Sequence, residues 1–346
     1  MIDVDTPAVV VDADRLQRNL ERWQAHCDTV GLANRPHVKT HKSVEIARRQ
    51  LALGAGGITC QKLGEAEVMA DAGIDDILIP YNLMGASKLE RLAALARRAD
   101  VSVSVDDERL LAGLAEAAGR SREIRVLVEC DTGLGRAGVA SPEAAAALAG
   151  EIARRDGLRF GGFLTYPAPP GAVDFLAEAG RLARAAGLEA ATVSAGGTPA
   201  MWSSGELCPT VTEYRVGTYA FHDRATVAAG AASVDEVALT VHATVVSRPA
   251  SDRAVLDAGG KALSQDRCSE PGFGAILEAP GSAIEWLSEE HAVVSVAAGD
   301  SLELGQQVRI VPNHVCVVVN LADELVVHGE ELEPTAWPVD ARGRSR

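Results

Sequence analysis

The sequence predicts an α/β protein built as a (β/α)₈ TIM barrel with a C-terminal, mainly β domain. From about residue 35 to residue 225, short apolar runs alternate eight times with helical stretches rich in Ala, Leu, Arg and Glu. Beyond about residue 235 the helical stretches give way to strand-like runs separated by Gly, Pro and Asp. Apolar strands that alternate with helices are typical of a parallel sheet covered by helices, and eight repeats favour a closed barrel over an open sheet.

Eight strands are predicted for the barrel. Amphipathic helices such as SVEIARRQLALG and SKLERLAALARR lie between them, because their apolar residues recur at helical spacing. The strands are, in order, HVK at 37–39, GITC at 57–60, DILIPY at 76–81, VSVSV at 101–105, IRVLVEC at 124–130, FGGFLTY at 160–166, ATVSAGG at 191–197 and EYRVGTYAF at 213–221.

The second domain is predicted from runs such as VALTVHATVVSRP and QQVRIVPNHVCVVVNL, which are rich in β-branched residues. The early run TPAVVVD is strand-like too, and we expect it to join this domain. The sequence therefore predicts a barrel domain over residues 12–234 and a β-rich domain made of residues 1–11 and 235–346.

Composition argues against several classes of function. The formal net charge is −15 and the basic residues form no stripe, which disfavours nucleic acid as a partner. The sequence contains no run of about 18 apolar residues, so no membrane span is predicted. The start MIDVDTPAVVVD has acidic residues where a secretory signal has basic ones, and the six cysteines form no CxxC pair. We therefore expect a cytoplasmic protein with reduced thiols.

The stretch RPHVKTHKS, residues 35–43, crowds five basic side chains into a strand-sized segment. Side chains alternate between the faces of a strand, so His37, Lys39 and His41 would share one face, which in a closed barrel is the interior. Desolvation and neighbouring cations favour a neutral amine at Lys39, and a neutral amine can form a Schiff base with a carbonyl compound. The alternative is a solvated basic turn ahead of the next helix.

Two glycine turns follow the last two predicted strands, SAGGTPA at 194–200 and VGT at 216–218. Glycine lets backbone N–H groups approach a ligand closely, and Thr198 adds a hydroxyl. Barrels commonly hold phosphate between the loops after strands seven and eight. Each turn alone also fits a plain tight turn, but the two in these places indicate a phosphate site.

Two further candidates follow strands five and six. The Gly-rich loop DTGLGRAGV, residues 131–139, carries Arg136, which can bind an anionic oxygen. Tyr166 ends the sixth strand and can pack against a flat ring, although an aromatic residue at a strand end is also typical of the core.

His314 and Cys316 lie two residues apart in PNHVC, within the β domain. On a strand both side chains would face the same side, and imidazole with thiolate suits Zn²⁺. Two protein ligands are too few for a closed structural site, so positions would remain open for water or substrate. The alternative is a core cysteine beside an incidental histidine.

The chain resembles the D-serine dehydratase and D-threonine aldolase family in seven segments: DTPAVVVD, RPHVKTHKS, GITCQKLGEAEVMADAGIDDILIPY, DTGLGRAGV, GGTPA, GTYAFHD and PNHVCVVVNL. The resemblance covers almost the whole chain, and the segments around Lys39 and His314-x-Cys316 are its most specific parts. It implies the alanine-racemase-like fold (fold type III) and pyridoxal 5′-phosphate (PLP) as the cofactor.

The resemblance also implies a role for each candidate residue. Lys39 would hold PLP and act as the proton-transfer base, Tyr166 would lie beside the ring, and Arg136 would meet the phenolic oxygen of the cofactor. His314 and Cys316 would bind a divalent metal, with Zn²⁺ favoured over Mn²⁺ or Mg²⁺ because thiolate is a soft ligand. His37 and Gln61 would be neighbours of the cofactor. Arg215 is placed where alanine racemases contact the pyridine nitrogen. The residues that would bind the phosphate are Gly196, Gly197, Thr198, Gly217 and Thr218.

The implied reaction is the PLP- and metal-dependent breakdown of a β-hydroxy D-amino acid. Dehydratases of this family resemble His-x-Cys at the metal site and aldolases His-x-Asp. Cys316 therefore favours a dehydratase that converts a D-serine-like substrate to a 2-oxo acid and ammonia. The alternative is retro-aldol cleavage of a D-threonine or 3-hydroxy-D-aspartate substrate to glycine and an aldehyde. LTYPAPPG at 164–171 and VVV after Cys316 depart from the family pattern, which leaves the substrate open.

Other functions are less favoured. A racemase needs a second acid/base, usually a tyrosine of the β domain, and no tyrosine follows residue 235. A non-catalytic PLP carrier would be a lone barrel, and a barrel without cofactor is the remaining alternative. The resemblance implies a small amino-acid substrate and a homodimer in which the β domain of one subunit closes the barrel mouth of the other.

Overall fold

The computed structural model describes residues 2–346. The chain divides into two compact units. Unit 1 is formed by Met1–Arg22, Thr40–Ser43 and Thr218–Arg342, and unit 2 by Trp23–Lys39, Val44–Gly217 and Gly343–Arg346. The first strand, β1 (Ala8–Asp12), lies in unit 1, and the helix after it, α1 (Ala13–Val30), continues into unit 2.

Unit 2 contains one sheet of eight parallel strands, in the spatial order β2-β9-β8-β7-β6-β5-β4-β3. The strands are near-continuous apolar runs, and in β6 six of seven residues are buried. They are β2 (Ala33–Asn34), β3 (Ile58–Thr59), β4 (Asp76–Ile79), β5 (Asp100–Val105), β6 (Ile124–Cys130), β7 (Leu158–Thr165), β8 (Thr192–Gly196) and β9 (Glu213–Arg215).

The two edges of this sheet meet beyond the end of β2. His37 forms a parallel bridge with Thr59 of β3. The Val38 N–H donates to the Thr59 carbonyl oxygen at 2.9 Å, and the Thr59 N–H donates to the Pro36 carbonyl oxygen at 2.8 Å. Because these bonds join the first and last strands of the spatial order, the sheet closes, and the predicted (β/α)₈ class is confirmed.

Helices alternate with the strands as predicted, with one difference. Each α-helix presents an apolar stripe to the sheet. In the helix Ala86–Ala96, for example, Leu92 and Leu95 are fully buried. The strand β8 is followed by a 3₁₀ helix, Thr198–Leu207, where an α-helix was expected. The α-helices are α2 (Val44–Ala52), α3 (Leu63–Asp71), α4 (Ala86–Ala96), α5 (Leu111–Gly119), α6 (Pro142–Ala153) and α7 (Ala172–Ala185).

Charged residues fill part of the barrel interior near β2. The Arg35 guanidinium donates to Glu213 at 2.5 Å and to Asp76 at 2.7 Å. A Cβ at Gly57 would lie 2.3 Å from Arg35 Nη1, so glycine at this position makes room for the guanidinium. The buried charge is thus paired twice, as a buried cation requires.

Unit 1 is built on a nine-stranded mixed sheet that includes β1. β1 pairs antiparallel with β10 and parallel with β16. The other strands are β10 (Leu239–Ala250), β11 (Arg253–Leu256), β12 (Ala275–Ile276), β13 (Ala283–Leu287), β14 (Ala292–Ser295), β15 (Gln307–Val311), β16 (Glu324–His328) and β17 (Thr335–Pro338), with the short helices α8 (Arg224–Ala228), α9 (Gly260–Leu263) and α10 (Val315–Leu321).

Within residues 2–346, every helix is too short or too polar to cross a membrane.

Candidate active site

The segment around Lys39 is a turn, where the sequence predicted a strand. Residues 38–41 are in turn conformation, and only His37 keeps a strand-like bridge. The expectation that His37, Lys39 and His41 share one strand face is therefore wrong, because alternation requires an extended backbone. The Lys39 N–H is instead directed at His37 Nδ1, at 3.4 Å, and His37 Nε2 lies 3.1 Å from Gln61 Oε1.

The alternative of a solvated basic turn is also wrong. Arg35 is 8% exposed, His37 9% and Lys42 6%, and His41 is fully buried. Cationic side chains are rarely buried unless they are used or paired. Lys39 is half-buried and lies within this buried, basic stretch of chain.

The loop after β8 has the geometry of an anion site. A Cβ at Gly196 would lie 2.4 Å from the Arg215 carbonyl oxygen, and Gly197 has a φ of +129°, so neither accepts a side chain without strain. Among residues 2–346, the backbone N–H groups of Thr198 and Gly217 have no hydrogen-bond acceptor. Unpaired N–H groups where a helical segment begins are the donors that bind phosphate, so these residues fit the phosphate of PLP.

Thr218 follows Gly217 directly but belongs to unit 1, where it begins the 3₁₀ helix Thr218–Ala220. The eighth predicted barrel strand, EYRVGTYAF at 213–221, therefore stops at Arg215 and does not run on to Phe221. The Thr218 carbonyl oxygen accepts from the N–H of Phe221 at 3.1 Å and of His222 at 2.7 Å. These bonds fix a compact turn after the glycine.

Tyr166 and Arg136 lie together at the carboxyl ends of β7 and β6. The Arg136 Cζ is 5.4 Å from the centroid of the Tyr166 ring, and Arg136 Nη2 is 3.9 Å from Glu129. A Cβ at Gly197 would be 3.6 Å from Tyr166 Cε2, which places the ring beside the glycine loop. Tyr166 is 43% exposed, so it is not the core aromatic of the alternative interpretation.

Arg215 is buried among the strands of the barrel. Its Nη1 donates to Ser194 Oγ at 2.5 Å and its Nη2 to the Thr165 carbonyl oxygen at 2.8 Å. Burial lowers the pKa of Arg215, while the nearby Glu213 and Glu129 favour its charge. The guanidinium is thus held rigidly in the wall of the barrel.

In unit 1, His314 and Cys316 lie at the start of a helix and not on the predicted strand. His314 is the N-cap of α10, and Cys316 is in the first turn. The two side chains still converge, since Cys316 lies close enough to His314 to raise the pKa of its imidazole. The Thr40 hydroxyl lies 3.2 Å from Cys316 Sγ. Thr40 itself follows Lys39 in the chain.

Asp223 completes this cluster and was not found from the sequence. Its buried carboxylate accepts from His314 Nδ1 at 3.0 Å and from the Val315 N–H at 3.1 Å. Its other oxygen accepts from the Thr226 N–H at 2.8 Å, which caps α8. Hydrogen bonds to Asp223 and Cys316 raise the pKa of His314 to about 10.

The donor set fits one divalent metal with an open coordination sphere. Nδ1 of His314 faces Asp223, which leaves Nε2 as the ligand atom, and Cys316 supplies a soft sulfur. Within residues 2–346, no group of three or more His, Cys, Asp or Glu side chains could hold a metal. A metal at this pair would therefore keep positions for water or substrate, which is typical of catalytic sites.

Sequence motifs signalled Asp223 only weakly. It ends the segment GTYAFHD, and Asp223 with Thr226 has the spacing of a capping box, which by itself indicates only the start of a helix. Its partner His314 is 91 residues away.

Two family models match the chain. The N-terminal domain of alanine racemase matches residues 11–225, and a putative serine dehydratase domain matches residues 238–328. A D-threonine aldolase from Arthrobacter sp. is 38% identical over 367 residues, which cover 99% of this chain and 94% of that protein.

Solved structures are similar over nearly the full length. The D-threonine aldolase from Filomicrobium marinum has a TM-score of 0.89 and 37% identity, covering 98% of this chain and 96% of that one. A D-threo-3-hydroxyaspartate dehydratase, solved in a metal-free form with a cysteine replaced by alanine, has a TM-score of 0.88 and 32% identity, covering 97% of each chain. Another structure of a variant of that dehydratase has a histidine replaced two positions earlier.

Proposed function

Because the chain belongs to the D-serine dehydratase and D-threonine aldolase family of PLP-dependent lyases, we propose that it is a metal-dependent dehydratase of β-hydroxy D-amino acids. The substrate would lose its β-hydroxyl group and its amino group, giving a 2-oxo acid and ammonia. A D-serine-like compound is the simplest substrate with this chemistry.

The observation that carries the proposal is the convergence of His314 and Cys316, with Asp223 behind the imidazole. Thiolate and imidazole together are donors that suit Zn²⁺, which is our assignment of the metal, before Mn²⁺ or Mg²⁺. The related dehydratase supports it, since a histidine and a cysteine at the same spacing were chosen for replacement there, and the cysteine variant is in a metal-free form.

PLP, when bound, supplies an electron sink for the charge that develops at Cα. Lys39 would hold the cofactor and, once displaced, take the Cα proton as a neutral amine. The N–H groups of Thr198 and Gly217 would bind its phosphate together with Gly196, Gly197 and Thr218.

Other residues would orient the cofactor ring and the substrate. Arg136 would pair with the phenolic oxygen and Tyr166 would lie against the ring, with Arg215 nearest the pyridine nitrogen. His37 and Gln61, which are hydrogen-bonded to each other, would fix the backbone at Lys39.

A divalent metal at His314 and Cys316 would act as a Lewis acid and stabilise the hydroxide that leaves. Asp223 would hold the Nδ1 proton of His314 and so present Nε2 to the metal. The chain runs directly from Lys39 to Thr40, whose hydroxyl contacts the thiol.

The second candidate is an aldolase, which cleaves the Cα–Cβ bond of D-threonine or 3-hydroxy-D-aspartate. The similarity to two D-threonine aldolases, at 38% and 37% identity, favours it. The same residues would serve, except that the proton is taken from the β-hydroxyl.

A product assay with and without a chelator tests the proposal. Purified protein is incubated with D-serine, D-threonine and 3-hydroxy-D-aspartate. Ammonia with a 2-oxo acid, lost on chelation, is the expected result; glycine with an aldehyde would establish the aldolase instead. Lys39→Ala serves as the control, because it should be colourless and inactive. A colourless wild type after incubation with excess PLP would overturn the cofactor assignment.

We also propose a homodimer. Within residues 2–346, the exposed large hydrophobic side chains of unit 2 are Tyr81, Met84, Leu134 and Tyr166. All four lie in loops that follow strands of the barrel, and an apolar rim of this kind favours a covering subunit. The six free cysteines support a cytoplasmic location, since reduced thiols are typical of that compartment.

A further inference from the structure

The barrel rim carries a stacked pair, Lys62 and Tyr81, that the proposed chemistry does not use. Lys62 follows β3 and precedes α3, with an extended backbone at φ −129° and ψ 152°. Tyr81 follows β4 and is 37% exposed. The Lys62 Nζ lies 3.7 Å from the centroid of the Tyr81 ring, within the range of a cation–π contact.

This pair adjoins the strand that leads to Lys39. Gln61, directly before Lys62, contacts His37 through Oε1 and donates from Nε2 to the Pro80 carbonyl oxygen at 3.4 Å. In the closed sheet, β2 lies between β9 and β3. Lys39 therefore has the phosphate loops on one side and the Lys62–Tyr81 pair on the other, at the end of the barrel where active sites gather.

Lys62 differs from Arg136, another cation of the rim, in having no carboxylate partner. No Asp or Glu in the described part of the chain, residues 2–346, lies within ion-pair distance of its Nζ. Arg136, by contrast, lies 3.9 Å from Glu129. Interaction with Lys62 also lowers the pKa of Tyr81. In a chain of net charge −15, an uncompensated cation near the reacting lysine is a local attractor for an anion.

We propose that Lys62, held in place by the Tyr81 ring, recognises a second carboxylate on Cβ of the substrate. The preferred substrate class is then a β-hydroxy amino acid with a β-carboxylate, and Lys62 sets specificity without taking part in bond breaking. This inference rests on the proposed function, because it assumes a substrate held at Lys39. A charge-assisted hydrogen bond of this kind discriminates by roughly 10- to 100-fold against an uncharged group of similar size.

The test compares two substrates that differ mainly in the group on Cβ. 3-Hydroxy-D-aspartate carries a carboxylate there and D-threonine a methyl group. We expect Lys62→Met to lower the ratio of kcat/KM for 3-hydroxy-D-aspartate over D-threonine by roughly 10- to 100-fold, mainly through KM. Lys261→Met, which removes an exposed charge that pairs with Glu289 and Glu290 in unit 1, is the control and should leave the ratio unchanged.

Tyr81→Phe separates recognition from proton transfer. It keeps the ring under the ammonium, so the ratio should stay within about threefold of wild type. An equal loss with both substrates in Lys62→Met, or an unchanged ratio, would overturn the proposal. A large loss with both substrates in Tyr81→Phe would assign Tyr81 to proton transfer and overturn its role as a support.

Failure of the proposed function is distinguished by a binding measurement. If wild type turns over no β-hydroxy D-amino acid, the proposed reaction is wrong. Calorimetric titration of the PLP-loaded protein with succinate and with butyrate then tests whether Lys62 binds a carboxylate. Succinate binding weakened about tenfold in Lys62→Met, with butyrate unaffected, would support it. If wild type binds succinate no more tightly than butyrate, the proposed carboxylate recognition by Lys62 is wrong.

Discussion

The Asp223 carboxylate decides which nitrogen of His314 is free to bind a metal. One oxygen accepts from His314 Nδ1 at 3.0 Å and from the Val315 N–H at 3.1 Å, and the other accepts from the Thr226 N–H at 2.8 Å. Asp223→Asn keeps the size of the side chain but replaces one oxygen with an NH₂ group. If that group faces His314, the imidazole must move its proton to Nε2, the atom that we propose as the metal ligand.

The size of the effect follows from these contacts. A hydrogen bond to a charged group contributes about 1.5–3 kcal/mol, and loss of a partner behind a ligating histidine lowers metal affinity by about 10- to 100-fold. We expect Asp223→Asn to weaken metal binding by that factor, measured by competition with a chromogenic chelator. PLP absorbance should be retained, because Asp223 lies outside the predicted cofactor contacts.

A matched variant separates the metal effect from loss of the helix cap. Thr226→Val removes the hydroxyl that accepts from the Asp223 N–H at 2.8 Å and should cost about 1 kcal/mol of stability, while the carboxylate stays on His314. Metal affinity should then be close to wild type. Equal affinity in Asp223→Asn and wild type, or an equal loss in Thr226→Val, would refute the orienting role of the carboxylate.

Three further predictions concern other parts of the chain. Gly57→Ala, at a φ of +148° and with a Cβ 2.3 Å from Arg35 Nη1, should lower the free energy of unfolding in urea by about 2–4 kcal/mol, whereas Gly56→Ala, in open space, should change it by less than about 1 kcal/mol. Burial lowers the pKa of His242 from 6.5 to about 4. Between these two values the unfolded chain binds more protons than the folded chain, so the free energy of unfolding falls as the pH falls. Between pH 7 and pH 5.5 His242 should lower the free energy of unfolding by about 1 kcal/mol, and His242→Gln should remove this contribution in thermal unfolding. Cys316→Ser should lower the zinc content of purified protein at least about tenfold and leave the visible PLP band; unchanged zinc would contradict the soft-ligand argument.

The barrel could be predicted because its strands are buried on both faces and therefore apolar throughout. IRVLVEC coincides with β6, and DILI of the predicted DILIPY with β4. The ends were less predictable. EYRVGTYAF is apolar enough for a strand throughout, yet the strand ends at Arg215 and a 3₁₀ helix begins at Thr218.

The candidate site residues were chosen for their chemistry, and the local structure predicted for Lys39, His314 and Cys316 was wrong. His314 and Cys316, two residues apart, suit one face of a strand, but a β-conformation N-cap followed by a helix can also bring them together, and spacing does not distinguish the two. Lys39 was proposed on the basis of its basic neighbours, although the segment predicted as a strand is a turn. Asp223 required the tertiary structure, because its role exists only in contact with a residue far away in sequence.

The chain passes from unit 2 to unit 1 at two points that carry the proposed chemistry. At one, Lys39 is followed by Thr40, which contacts the Cys316 thiol; at the other, Gly217 is followed by Thr218, five residues before Asp223. The loops that carry Lys62 and Tyr81 are separate from both points. Changes there can alter the group recognised on the substrate and leave the cofactor and metal residues in place, which is how loops on a rigid barrel allow specificity to vary independently of chemistry.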